Sequence, residues 1–370
     1  MTRLVLDRVV EGSRMGAAPG QQAALYDRAA ERGVLPILYR YASWRGESPP
    51  ESAKEQWRRH VARLALYRRE LSRTVAVLGK LGPVVVLKGE PLARLLFGDA
   101  LMRNTTDMDL LITPDRVGEA VRVLEPLGYL PMHDARAKPW TYNQLALIHR
   151  QYGTVVELHW RIAFPHLPSP PAKQLLAETT PVAVDSNTYR TLRPELLFLH
   201  LCYHFHQHRG FLKGLLDITG WLDRFEDSAD LEEIAQIADR LGVGGVLQWP
   251  LHTLAHFAGY RSRLMRHDVD MCVRSWAAYS SAKLEREFVE LRPTGAVGRF
   301  LDEQSFGAKL LTSIAQGLSM TVADGWHRKA TTAIKPVILG PHRLGRAVFS
   351  SLERLGAVDR DDLYVGRIWA

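Results

Sequence analysis

The chain has 370 residues, 46% of them hydrophobic and 24% charged, which places it with globular proteins and leaves room for a large core and two domains. Its formal net charge of +8 favours anionic partners (nucleotides, polyphosphates, nucleic acid or an acidic surface) without choosing among them, and an arginine-rich genome gives the same balance. Two cysteines, Cys202 and Cys272, exclude a disulfide framework and a cysteine zinc site, and read as free thiols in a reducing cytosol.

At the N-terminus, Asp7, Arg8 and Glu11 interrupt Leu4-Val5-Leu6 too soon for a signal peptide. No apolar run reaches the roughly 18 residues of a membrane span, so a soluble cytoplasmic protein is expected. Ala23 to Ala30 fit a helix that stops near Gly33, and Leu35-Pro36 begins another. Ser48-Pro49-Pro50 is a loop. From Ala53 to Leu81, Val61, Leu64, Ala65, Tyr67, Leu71, Val75 and Leu78 recur at helical spacing, predicting one long amphipathic helix. Arg58, Arg59, Arg63, Arg68, Arg69 and Arg73 on it fit either a solvated face or a track along a phosphate backbone.

The pattern changes at Pro83. Val84 to Leu87 reads as a short buried strand, Glu90 to Phe97 as a helix opening after Lys88-Gly89, and Met108 to Ile112 as a second strand. A helix runs from Thr113-Pro114-Asp115 to about Leu127, where Gly128 ends it, and an extended piece begins at Tyr129-Leu130. Leu145–Ile148 and Thr154–Trp160 predict an antiparallel pair joined through Tyr152-Gly153, completing a β-α-β-α-β-β order. Pro165, Pro168, Pro170 and Pro171 mark a linker. Helices are then expected from Arg193-Pro194-Glu195 to about His206, over 212–225, and around 231–241, 246–258, 269–292 and 300–323.

On the second strand Asp107 and Asp109 stand two residues apart, so both project from one face of an otherwise apolar segment. Paired carboxylates repel and resist desolvation, and a divalent cation with oxygen preference, Mg2+ first and Mn2+ second, relieves both. Nucleotidyl transfer uses two such ions about 4 Å apart, held by carboxylates from neighbouring strands. Glu157, a lone charge in Val155-Val156-Glu157-Leu158, suits the third carboxylate; an ordinary solvent-facing glutamate is the plain alternative. Lys88-Gly89 lies at a strand-to-helix junction, where glycine admits a phosphate and the helix N-terminus offers free N–H donors. The interval from Gly89 to Asp107 leaves room for one helix and a loop, and Arg103 could reach the same phosphates.

Leu87-Lys88-Gly89, Arg103 and Asp107-Met108-Asp109-Leu110-Leu111 together resemble the bacterial uncharacterised nucleotidyltransferase family of the polymerase-beta-like superfamily. Val156–Arg161 resembles its third-carboxylate strand, Leu196–Leu201 with His204 and Leu215–Ile218 its following helical segment, and Ala29–Arg40 its helical lead-in. The resemblance spans roughly residues 20–225. It implies a nucleotidyltransferase fold, and with the pattern along the chain this gives an α+β expectation: a catalytic core over 83–165 with a small mixed sheet and helices, an N-terminal helical segment over 1–82 packed on it, and a mainly helical C-terminal domain over 172–370. It also implies Asp107, Asp109 and Glu157 as catalytic metal ligands, Mg2+, and a nucleoside triphosphate. The acceptor is not part of the resemblance; the first reading is NMP transfer to a hydroxyl of a small molecule, peptide product or protein. Lys88-Gly89 stands where the wider superfamily has Gly-Ser, so Lys88 is expected to contact the triphosphate in place of a serine hydroxyl.

His200, His204 and His208 are four apart and share a helix face, which fits a metal site, a face toward nucleotide or acceptor, or simple packing. His159 with Trp160 could stack on a base, support Glu157 or pack in the core. No nucleic-acid-binding signature is present in the sequence, so an RNA-modifying toxin ranks behind a nucleotidyltransferase acting on other hydroxyls and behind a degenerate, nucleotide-binding regulator.

Overall fold

The computed structural model describes residues 1–14, 21–132, 143–164, 167–208 and 210–289. Helices α1 (Thr2–Arg14), α2 (Gln21–Glu31), α3 (Leu35–Trp44) and α4 (Glu51–Leu78) lead the chain. Pro36 sits in the first turn of α3, where a missing N–H leaves no hydrogen bond broken. Along α4 the buried line is Ala53, His60, Leu64, Tyr67, Leu71, Thr74 and Leu78, a helical spacing. Val61, at 36% exposure, and Ala65 lie off that line, contrary to the sequence expectation.

The elements of the sheet unit follow in the expected order: β1 (Val85–Val86), α5 (Glu90–Phe97), β2 (Asp107–Leu111), α6 (Val117–Leu124), β3 (Tyr129–Pro131), β4 (Gln144–His149) and β5 (Val155–His159). The extended piece at Tyr129 joins the sheet as a further strand. The order across the sheet is β1-β2-β5-β4-β3, with β2 and β5 parallel and every other pair antiparallel. Strand alternation divides the residues cleanly. Val86, Met108, Leu110, Val156 and Leu158 pack on one face with Tyr67 and Leu71 of α4 and Val117, Ala120 and Leu124 of α6. Asp107, Asp109, Glu157 and His159 are the alternate residues of β2 and β5, so they project from the opposite face.

Beyond the proline-rich segment the chain forms α7 (Ala172–Ala177) and a hairpin, β6 (Thr179–Val184) and β7 (Asn187–Leu192), before turning helical. The hairpin packs against α5 and β1, and departs from the expectation of helices alone. Helices α8 (Pro194–Gln207), α9 (Leu212–Phe225), α10 (Leu231–Leu241), α11 (Gly244–Ala258) and α12 (Met271–Leu284) follow, the last continued by a π-helical turn, Glu285–Val289. The helix expected over 300–323, the rest of that expected over 269–292, and the last 50 residues lie outside the described residues. Apolar residues of α1, α2 and α3 share one core with those of α8 to α12, and Val85, Leu87 and Leu111 of the sheet join it. Gly220 permits α9 to approach α5: a Cβ there would fall 2.5 Å from the Phe97 ring.

Candidate active site

The site is built where β1 turns into α5. Gly89 takes φ +79° and ψ −149°, a conformation nearly confined to glycine, and α5 starts at the next residue. The Leu87 N–H donates to the Asp109 carbonyl at 2.9 Å, tying this corner to β2. The Tyr67 hydroxyl, from α4, donates to the Thr106 carbonyl just before Asp107.

The parallel register of β2 and β5 pairs Asp109 with Glu157, Asp107 with Val155 and Leu111 with His159. Asp109 is fully buried. Its Oδ1 accepts from Lys88 Nζ at 2.7 Å and lies 3.1 Å from His159 Nε2. The same imidazole nitrogen lies 3.3 Å from Glu157 Oε2. Asp109 Oδ2 is buried and has no hydrogen-bond partner. Burial pushes the Asp109 carboxyl upward, but Lys88 and His159 outweigh it and hold the group well below the usual carboxylate range. Asp107 goes the other way: burial and the neighbouring Asp109 charge raise it, with Lys88 partly offsetting them. His159 is raised because its hydrogen bonds to Asp109 and Glu157 overcome the effect of burial. The two aspartates, alike in sequence, thus stand in opposite electrostatic settings.

A cavity of about 330 Å³ opens over these groups. Lys88, Asp107, Glu157 and His159 line one side; His200 and His204 of α8, Lys213 of α9, and His208 and Phe211 from the connection between them line the other. Arg103 borders the cavity too, but its Nε is 3.0 and 3.1 Å from the two carboxylate oxygens of Asp217 on α9. Both side chains are nearly inaccessible, so the predicted phosphate-reaching arginine is committed to a buried ion pair. Lys88, expected on the triphosphate, is bonded to Asp109.

The three histidines do share one face. Rings of His204 and His208 are 4.6 Å apart at their centroids, and both lie against Phe211. His206 turns away and meets the Trp249 ring. Burial, reinforced by Lys88, pushes the His200 imidazole down to about 3 and His204 well below its ordinary range, so these two imidazoles are uncharged near neutral pH. Among the described residues none of the three belongs to a group of convergent metal-ligand atoms. That distinction falls to Asp109, Glu157 and His159, whose donor atoms lie within 4.8 Å of one another.

Lys213 escaped the sequence reading. Burial and the adjacent Arg103 push its ammonium down to about 7, against the pull of Asp217 and Asp107. The available signal was its place four residues before Asp217, on the same helical face. Asn143 and Gln144, at the start of β4, were also missed as lining residues.

The donor set fits a divalent cation. Two carboxylates and an imidazole converge, and one buried carboxylate oxygen has nothing to satisfy it. Among the described residues no helix is long and apolar enough to cross a membrane. The family model described as uncharacterised nucleotidyltransferase matches residues 19–259. No curated protein matches the chain. Solved structures similar to the chain include two at 13% identity. One is the solution structure of the antibiotic-resistance factor ANT(2'')-Ia, with TM-score 0.35, covering 49% of this chain and 94% of that one. The other is the crystal structure of ANT(2'')-Ia with adenylyl-2''-tobramycin, with TM-score 0.33, covering 49% and 97%.

Proposed function

The chain belongs to the uncharacterised nucleotidyltransferase family, and from that premise we propose that it moves a nucleoside monophosphate from a nucleoside triphosphate to a hydroxyl acceptor, releasing pyrophosphate. The observation that carries this reading is the β2–β5 register: it sets Asp109 beside Glu157, with Asp107 on the same face and a cavity above them.

In this reaction the acceptor oxygen forms a bond to the α-phosphorus. The bond from that phosphorus to the α–β bridging oxygen breaks, and its electron pair leaves with pyrophosphate. Glu157, partly exposed in the cavity, takes the hydroxyl proton. Gly89 and the first N–H groups of α5 receive phosphate oxygens, with Lys88 adding positive charge beside them. His159 holds Asp109 and Glu157 at a fixed separation. Asp107, Asp109 and Glu157 would hold divalent cations, Mg2+ foremost, which when bound neutralise the charge that grows on the transferring phosphoryl group. The acceptor is a small molecule, peptide product or protein that presents its hydroxyl to the wall formed by α8 and α9.

Asp107→Ala and Asp109→Ala are expected to abolish Mg-dependent pyrophosphate release, and retained turnover in either would remove the mechanism. The Lys88–Asp109 bond favours a second reading, in which the scaffold binds nucleotide without turning it over. Calorimetry with ATP, GTP, CTP and UTP, followed by a pyrophosphate assay, separates the two. Binding with no product from any acceptor supports the second.

A further inference from the structure

The cation site implied by the carboxylates contains a nitrogen donor. His159 Nε2 reaches Asp109 at 3.1 Å and Glu157 at 3.3 Å, and the donor atoms of these three residues form one group within 4.8 Å, which Asp107 does not join. Asp109 contributes to it asymmetrically. Its Oδ1 already serves Lys88 and His159, whereas Oδ2 is sealed from solvent with no partner. An anionic oxygen kept bare in a buried setting is costly unless a cation reaches it. The available donors are then two hard oxygens and one borderline nitrogen, a set that suits first-row transition ions better than Mg2+, which prefers oxygen and water throughout.

We propose that His159 is a metal ligand together with Asp109 and Glu157, and that this mixed set selects a divalent transition ion, with Mn2+ as its accessible probe, over Mg2+. The inference rests on the nucleotidyltransferase reading for its purpose and revises its choice of Mg2+ at this one position. For His159 to bind the ion, a proton carried on Nε2 passes to solvent and the freed nitrogen lone pair is donated to the ion in its place. A histidine that serves only as an N–H donor to the carboxylates keeps that proton.

The test uses the full chain with metal alone. Mn2+ binding is followed by electron paramagnetic resonance, and Mg2+ by competition. The expected result is Mn2+ affinity at least tenfold above that of Mg2+, with a nitrogen hyperfine coupling that changes isotope signature in 15N-histidine-labelled protein. His159→Gln should lose the coupling and bring the two affinities together. The labelled wild-type measurement stands even if that variant folds poorly. Equal affinities with no nitrogen coupling overturn the inference and leave the functional reading standing, provided Asp109→Ala still abolishes pyrophosphate release. No divalent binding at all, together with an active Asp109→Ala protein, overturns both.

Discussion

Asp217→Asn removes one charge from a buried pair and leaves its partner in place. The Arg103 and Asp217 side chains are 4% and 3% exposed, with Nε–O distances of 3.0 and 3.1 Å, so neither is shielded by water in the native state. Stranding one member of such a pair costs about 3–5 kcal/mol. Asp109 and Asp107 also act on Arg103 through space, which puts the expected loss near the lower bound, about 3 kcal/mol. For a chain of 370 residues, at about 2.1 cal/mol/K of unfolding entropy per residue, that corresponds to roughly 4 °C in Tm. Urea unfolding followed by tryptophan fluorescence measures it directly, since Trp221 is buried on the same helix. The double variant Arg103→Met, Asp217→Leu should be less destabilised than Asp217→Asn alone, because it strands no charge. A single-variant loss below about 1 kcal/mol, or a double variant whose losses simply add, would refute the assignment of this pair as a desolvated strut between the α5–β2 connection and α9.

Three further outcomes can be checked. Lys213 titrates near 7 when folded and near 10.4 when unfolded, so between these pH values the unfolded chain binds the extra proton. Stability should therefore climb across that window as pH rises, and urea midpoints for Lys213→Met should lack this part of the slope. Gly89→Ala forces a side chain into a glycine backbone conformation, and should cost about 1–3 kcal/mol in chemical denaturation and weaken nucleotide binding by calorimetry. Divalent metal at a hundredfold excess over its Kd should stabilise the native state by about 2.7 kcal/mol. That shift should disappear on chelation and in Asp109→Ala.

The catalytic unit was legible because its signals are local. Asp107 and Asp109 break an apolar strand at period two, Glu157 breaks another, and glycine punctuates the helices between them. Their convergence needed only that β2 and β5 be neighbours in register. The hairpin was not legible: Pro181 interrupts β6, and its turn is made by Asp185 at φ +51° rather than by a glycine. Long-range partnerships were equally silent. Nothing near Arg103 announces Asp217, 114 positions away, and although Glu157 stands two residues before His159, nothing local shows that Asp109 meets the same imidazole. The histidine face of α8 was readable as a face, but its uncharged state follows from burial against Lys88, which only the assembled fold creates.

The sharing of one core by α1–α3 and α8–α12 has a consequence for how the polypeptide is made. The leading helices leave the ribosome with oily sides and no lasting cover. Val85, Leu87 and Leu111 of the sheet supply part of that cover, but the helical partners begin at Pro194, and at about 5–20 residues per second they emerge roughly 8–30 s after Trp44. Over that interval the nascent chain depends on chaperones or on transient self-association, so slowed translation or truncation ahead of α8 should yield aggregate rather than a shorter working protein.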